Sequence, residues 1–438
     1  MRKSKFAALI ALSLIAVACS DGGGSGGSDA TTDATDATDG SATETTAATG
    51  GTRTLKIGYA YQDVSAFTIL NDKFSIGDPE LQGAAVLEAW RRDGVLPMNG
   101  IDIEFVYVKF NTLSADDQLG ACTRLAQDDQ VFAVIATRDF QVGASCLTER
   151  YGIPTITSSG MAVSAYERGA PWLFSVQATE TQAATSFVQW AQERGDLDGK
   201  RIGLYWDTRS EEAADAFKAA LAELGIELAS DLPSDGEGIG SPQDQIVVQR
   251  FLADGVDLPI MMVGTSSVTN FLASAEQQGY EPNLLWFEWS NQLNDVSTDA
   301  FPQSMLDGVQ AMAMSRVGEL AAGIEPGPSA AACIANYQSF AGVDVELVVP
   351  ASGETGQILF TCDLMTILLE GLRNAGDDPT PESFVASLEM ITDLELAWWG
   401  NLSYSADDHA GVEQIRTVTW STDCPCWTAE GELTDVNP

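Results

Sequence analysis

At 438 residues, with 63 Asp and Glu against 22 Lys and Arg, the chain carries a formal charge of −41. So acidic a surface repels phosphate, which excludes nucleic acid and anionic lipid headgroups as partners. The single histidine leaves too little to build a Ser–His–acid triad or a zinc centre, so no hydrolase chemistry, metal or cofactor is expected.

The N-terminus has a basic start (Arg2, Lys3, Lys5), an apolar run from Phe6 to Val17 and a small residue, Ala18, before Cys19. That is a secretory signal, too short to span a bilayer. The junction "AVAC" is similar to the bacterial lipobox, with Ala16 where Leu is usual, and implies that residues 1–19 are a lipoprotein signal whose Cys19 is lipidated. Residues 20–53 are almost entirely Gly, Ser, Thr, Ala and Asp and cannot repay the entropy of ordering, so they read as a disordered tether. A flexible coil of about 5–6 Å × √n lets the folded part stand a few nanometres from the membrane. Removing the three basic residues with the signal takes the charge from −41 to −44.

The remainder is longer than one core usually serves, so two lobes are expected. Seven cysteines less Cys19 leave six, an even number suited to three disulfides in an exported protein. Cys122 and Cys146 share one early α/β segment, and Cys333 and Cys362 flank a loop between two helical runs. Cys424 and Cys426 remain, in "DCPCW", where a bridge across one proline is tight. A metal or redox role for this pair lacks a nearby His or further Cys.

Along the chain, "TLKIGYA" is a strand and "PELQGAAVLEAWRRDG" a helix with Leu81, Ala84, Ala85, Leu87 and Trp90 on one face. "GIDIEFVYVKF" alternates as a strand. A helix around "SADDQLGACTRLAQDD" leads into the buried strand "VFAVIAT", and "ASCLTERYG" into "IPTIT". The alternation continues through "PWLFSVQ", a helix over 180–194, "KRIGLYW", "EEAADAFKAALAELG", "IELAS", a helix ending near Ala253, "LPIMMVG", "VTNFLASAEQQG" and "NLLWFEW". Such alternation argues for an α/β fold with parallel sheets covered on both faces.

Ligands of such sheets bind beyond the carboxyl ends of the strands. The residues there are Tyr61 and Gln62; Arg138, Asp139 and Phe140; Ser158, Ser159 and Gly160; Trp206 and Asp207; Thr265 and Ser266; Glu288, Trp289 and Ser290. No catalytic constellation emerges from them. His409, in "SADDHAG", reads as a solvated residue of a polar turn. "GDLDGKR" is one residue short of a nucleotide-binding loop, and "GEGIG" follows no strand.

The order "IGYA…LQGAAVLEAW…NGIDIEFV…VFAVIA…YGIPTITSSGMAVSAYERGAPWLFSV…RIGLYWD" resembles the periplasmic binding proteins of branched-chain amino acid transporters, from residue 54 to about 420. The resemblance implies the type I Venus-flytrap fold: two doubly wound lobes with parallel sheets joined by three crossovers, near Val176, Val309 and Trp399. Residues 54–175 and 310–398 then form lobe 1, and 176–309 with 399–438 lobe 2. In "YGIPTITSSG", Ser159 and Gly160 fall where the family's backbone and an adjacent hydroxyl hold a carboxylate, and Glu288 falls where it places the acid that binds an α-ammonium. Closure of the lobes follows, because only a ligand completes both halves of that contact.

Departures from the pattern are also visible. Met161 stands where a Thr hydroxyl is common, and the first ligand loop reads "TRDF". Arg138 takes the carboxylate or is tied to Asp139 or Glu149; the sequence leaves both open. A longer loop brings in Phe67 and Phe74, which suits a ligand larger or more apolar than leucine. Trp398 and Trp399 read as core, Trp289 as a pocket wall. The function implied is a monomeric lipoprotein, on the outer face of the cytoplasmic membrane, that captures an amino acid or related amide or carboxylate and delivers it to an ABC permease. A tethered sensor or adhesin that signals to a membrane partner is the alternative.

Overall fold

The computed structural model describes residues 52–68, 72–234, 242–289 and 292–436. The signal with Cys19, most of the tether and Ser290 lie outside the described residues, as does the side chain of Phe67.

The first half builds a sheet of β1 (Arg53–Gln62), β2 (Ile101–Phe110), β3 (Ala133–Ala136), β4 (Thr155–Thr157) and β5 (Leu173–Ser175), ordered β2-β1-β3-β4-β5 and parallel throughout. Alternate side chains serve two cores. Leu55, Ile57, Tyr59, Ala133 and Ile135 face one, and Ala60, Val134 and Ala136 the other, so the strands read as continuous apolar runs. The helix Pro79–Arg92 starts cleanly because Asp78 accepts the N–H groups of Glu80 and Leu81. The helix Gly353–Asn374 lies on the same side, fixed by a 2.7 Å hydrogen bond between the hydroxyls of Thr361 and Tyr59. It is long and apolar enough to cross a membrane, but 89% of its apolar window is buried inside the protein, which makes it a core helix.

The second half builds β6 (Ile202–Asp207), β7 (Ser230–Ser234) and β8 (Leu258–Met262), ordered β7-β6-β8 and parallel. Beside β8 lies β9 (Leu285–Phe287), paired in parallel with β10 (Gln310–Ala313). β11 (Gln414–Ser421) and β12 (Cys426–Asp435) complete this sheet as an antiparallel hairpin. Here the parallel expectation fails, because the turn at 422–425 is too short for a crossover helix. The strand expected at "IELAS" also begins later, at Ser230.

The chain passes between these sheet systems three times. Val412 N–H donates to Val176 O at 2.8 Å and Arg316 N–H to Trp398 O at 2.8 Å. The second passage lies at Met314–Arg316 rather than near Val309, because β10 pairs with both β9 and β11 and so belongs to the second sheet. Gly411 is required at the first: a Cβ there would stand 2.0 Å from Val176 O.

Disulfides join Cys122 to Cys146, Cys333 to Cys362 and Cys424 to Cys426. His409 is not the solvated turn residue expected. Its side chain is 9% exposed, stacks on Phe174 with ring centres 3.9 Å apart and contacts Glu389 at 3.2 Å. Trp399 is 1% and Trp398 9% exposed, in the core.

Candidate functional site

β3 and β4 end side by side, Ala136 opposite Thr157, so Arg138–Asp139 and Ser158–Gly160 leave the sheet at one edge. From the other lobe, Glu288 and Trp289 follow β9, and Glu180 opens the helix Glu180–Glu193, whose start is set by a Thr179–Gln182 capping box. A cavity of about 40 Å³ lies between these groups, lined among others by Asp139, Ser159, Gly160, Gln177, Glu180, Glu288 and Trp289. The site therefore draws on both sheet systems, at the strand ends where α/β sheets place their ligands.

Its electrostatics are dominated by carboxyl groups. Glu288 is 8% exposed and accepts from the Ser315 hydroxyl at 3.3 Å. Burial pushes its pKa up to about 8, against the Ser315 hydrogen bond and the Arg138 charge, a shift that a cation bound beside it would reverse. Glu180 is pushed up to about 7, first by burial and then by Asp207 and Glu212, with Ser210 and Arg209 opposing. Asp139 holds a left-handed backbone, φ 64°. Asp139 is exposed at the cleft, within electrostatic reach of Arg138 and Arg209. Among the described residues it accepts no hydrogen bond. The Arg138 guanidinium lies 4.5 Å from the centre of the Phe360 ring, facing Asp139 and Glu288. Its Nε is buried without a partner among the described residues. Burial lowers its pKa, but a guanidinium stays charged.

The loop after β4 departs from expectation. The N–H of Ser159 goes to Thr157 Oγ1 at 3.3 Å and that of Gly160 to Gln177 Oε1 at 2.9 Å. Gly160 is needed because a Cβ would meet Ala178 O at 2.1 Å, a close approach of the chain to itself. Behind the loop, the helix Val163–Gly169 gives its Ser164 N–H to Glu212 Oε2 at 3.1 Å. The Ser159 hydroxyl accepts from Asp139 N–H at 3.3 Å. Ser158 is 1% exposed, and its hydroxyl has no partner among the described residues.

Arg138 and Ser158 do not line the cavity, and neither do four other expected residues. Phe140 is fully buried against Phe110, ring centres 4.7 Å apart. Trp206 points into the helix layer, donating to Asp231 at 2.7 Å beneath Lys218. Tyr61 donates to Glu80 at 2.7 Å, and Thr265 opens the helix Thr265–Gln278, its carbonyl accepting from Thr269. Conversely, Gln141, Gln177 and Glu180 line the cavity unannounced. The capping-box sequence "TETQ" directly after a strand was the available signal for Glu180.

A family model described as periplasmic binding protein matches residues 84–425. No curated protein matches the chain. Among solved structures, a periplasmic binding protein type 1 from Bordetella pertussis is 15% identical with TM-score 0.67, covering 86% of this chain and 100% of its own. A solute-binding protein of an ABC transporter from Rhodopseudomonas palustris, in complex with 3,4-dihydroxybenzoic acid, is 16% identical with TM-score 0.63, covering 87% and 98%. A branched-chain amino acid ABC transporter protein from Thermus thermophilus with bound valine is 13% identical with TM-score 0.65, covering 88% and 97%. With a matching family model over most of its folded length and an interlobe cavity at the strand ends, the chain belongs to the periplasmic binding protein family.

Proposed function

We propose that this protein is the extracytoplasmic solute-binding component of an ABC-type transporter, taking an amine-bearing small solute between its lobes and handing it to a permease in the cytoplasmic membrane. The observation that carries this reading is the meeting of Asp139 and Ser159 from one lobe with Glu180, Glu288 and Trp289 from the other around a single cavity. A solute that contacts both sides stabilises the closed arrangement by the contacts it completes. Glu288 is the proposed acid for the amine, and the resemblance to lipobox sequences supports lipid anchoring through Cys19, with the tether spacing the lobes from the membrane. Lobe boundaries near 176, 314–316 and 399 accord with the three passages, and a monomer suits a molecule that opens and closes freely.

The test is a thermal-shift screen of the protein against amino acids, amides, urea and aromatic carboxylates. A solute that binds only the folded state stabilises it by about 2.7 kcal/mol at one hundred times its Kd. A concentration-dependent rise that Glu288→Gln abolishes supports the reading. A flat response across the panel, from folded protein free of co-purified solute, sinks it.

A further inference from the structure

Where the second passage meets β11, two arginines converge on one acid. Arg416 lies at a register shift of the β11–β12 hairpin, between Ile415 and Thr417, and such a bulge re-aims the side chain it carries. That side chain is 2% exposed and sends Nη2 to Glu319 Oε1 at 2.7 Å. Arg316, at the end of the passage, sends Nη1 to the same oxygen at 3.4 Å. Arg416 Nε, Arg416 Nη1 and Arg316 Nε are buried and have no partner among the described residues. Asp363 lies within electrostatic reach of Arg316, but its carboxylate is taken up by the N–H groups of Ala397, Trp398 and Trp399. None of Arg316, Glu319 and Arg416 lines the interlobe cavity, so this cluster stands apart from the solute-binding reading.

We infer that a small monatomic anion of the chloride class is held between Arg316 and Arg416, beside Glu319, and completes this buried cluster. A guanidinium stays charged inside a protein, so two of them against the single carboxylate they share leave one positive charge without a counterpart. Asp363 does not supply it in full, because burial pushes its pKa up to about 7. A buried charge without its partner is strongly destabilising, and orphaned N–H groups on that charge add to the cost. Water accepts such N–H groups but brings no charge, whereas an anion supplies both. Size then selects among anions. None of the three orphaned nitrogens has open surface around it, which leaves no room for a phosphate or an organic acid, while Arg316, 21% exposed at the rim, gives a small ion its way in. The ion fastens the passage, through Arg316, to the second sheet, through Arg416. With a formal charge of −41 the chain repels anions from its surface, so the site fills as salt rises.

The experiment follows the thermal midpoint of the whole protein as sodium chloride or sodium bromide replaces sodium gluconate at fixed ionic strength, so that screening is the same throughout. The midpoint is expected to rise saturably with chloride and with bromide. Arg316→Gln, a change at the partly exposed rim, should raise the chloride concentration at half effect by about tenfold. Glu319→Gln should lower it, because the carboxylate that competes for both guanidinium groups is gone. Crystals grown in bromide are expected to show an anomalous peak between the Arg316 and Arg416 guanidinium groups, a readout that needs no variant. A midpoint unchanged as chloride replaces gluconate, or crystals with water and no bromide at this place, overturns the inference. A saturable chloride effect that Arg316→Gln leaves untouched puts the ion elsewhere and overturns it as well.

Discussion

Glu288, just past β9, faces the guanidinium of Arg138, just past β3, across the gap between the two sheet systems. The pair is not a simple salt bridge, because burial outweighs the attraction and leaves the Glu288 pKa at about 8 instead of its ordinary 4.5. The sign of the pH dependence follows. Between those values the folded state binds more protons than the unfolded one, so this group's contribution to stability is present in full below about 4.5 and is lost as pH rises through about 8. Urea unfolding of the wild type should therefore weaken from acid to mildly alkaline pH more than that of Glu288→Gln, which keeps the shape and has no proton to lose. Parallel profiles for the two proteins would show that Glu288 titrates normally.

Gly160 and Gly411 each sit where the chain approaches itself closely, against a backbone carbonyl, Ala178 O at 2.1 Å and Val176 O at 2.0 Å from a built Cβ. Backbone at a passage between lobes cannot step aside as a flexible side chain would. Gly160→Ala and Gly411→Ala should each cost about 1–3 kcal/mol or more in denaturant unfolding. Gly120 is the control: it lies within the helix Ala115–Thr123 with nothing within 4 Å of its Cβ position, and alanine there should stabilise by about 0.5–1 kcal/mol. Equal effects at all three sites would falsify the assignment of close approach.

Which of these features were legible in the sequence depends on the range of the interactions that create them. Strand ends are local, so Arg138, Asp139, Ser159 and Glu288 could be placed at the cleft from "VFAVIAT", "IPTIT" and "NLLWFEW" alone. The face that a residue takes is not local when a strand is apolar on both sides. β6 is buried at every position, and period two therefore could not say that Trp206 points into the helix layer. His409 was misread for a related reason: its neighbours Asp407 and Asp408 suggested water, but the ring stacks on Phe174, far away in the chain. The partners of the Ser159 and Gly160 N–H groups were equally hidden, since Gln177 reaches Gly160 only because the first passage turns back over the loop.

The three disulfides should differ in worth. Cys122–Cys146 and Cys333–Cys362 close loops with separations of 24 and 29, whereas Cys424–Cys426 has a separation of 2. If the bridges act by restricting the unfolded chain, replacing either long-range pair by alanines should cost about 3–4 kcal/mol, and replacing Cys424 and Cys426 less than about 2 kcal/mol. Denaturant midpoints of the three double variants decide this. A larger loss at Cys424 and Cys426 than at the other pairs would place the stabilisation in the folded hairpin and not in chain entropy.

Asp363 ties the long core helix Gly353–Asn374 to the third passage. Its carboxylate accepts the N–H groups of Ala397, Trp398 and Trp399 at 2.5, 3.0 and 3.3 Å, and Arg316, from the second passage, lies close enough to feel its charge. Burial pushes the pKa up to about 7 against all four groups, so the hydrogen bonds, more than the charge, account for an acid at this depth. Asp363→Leu fills the volume but leaves three donors without an acceptor, each costing about 1–3 kcal/mol when buried. Asp363→Asn retains one carbonyl and should lose much less. If unfolding free energies place the two variants within about 0.5 kcal/mol of each other, the three N–H groups find other partners and Asp363 is not what fastens this passage.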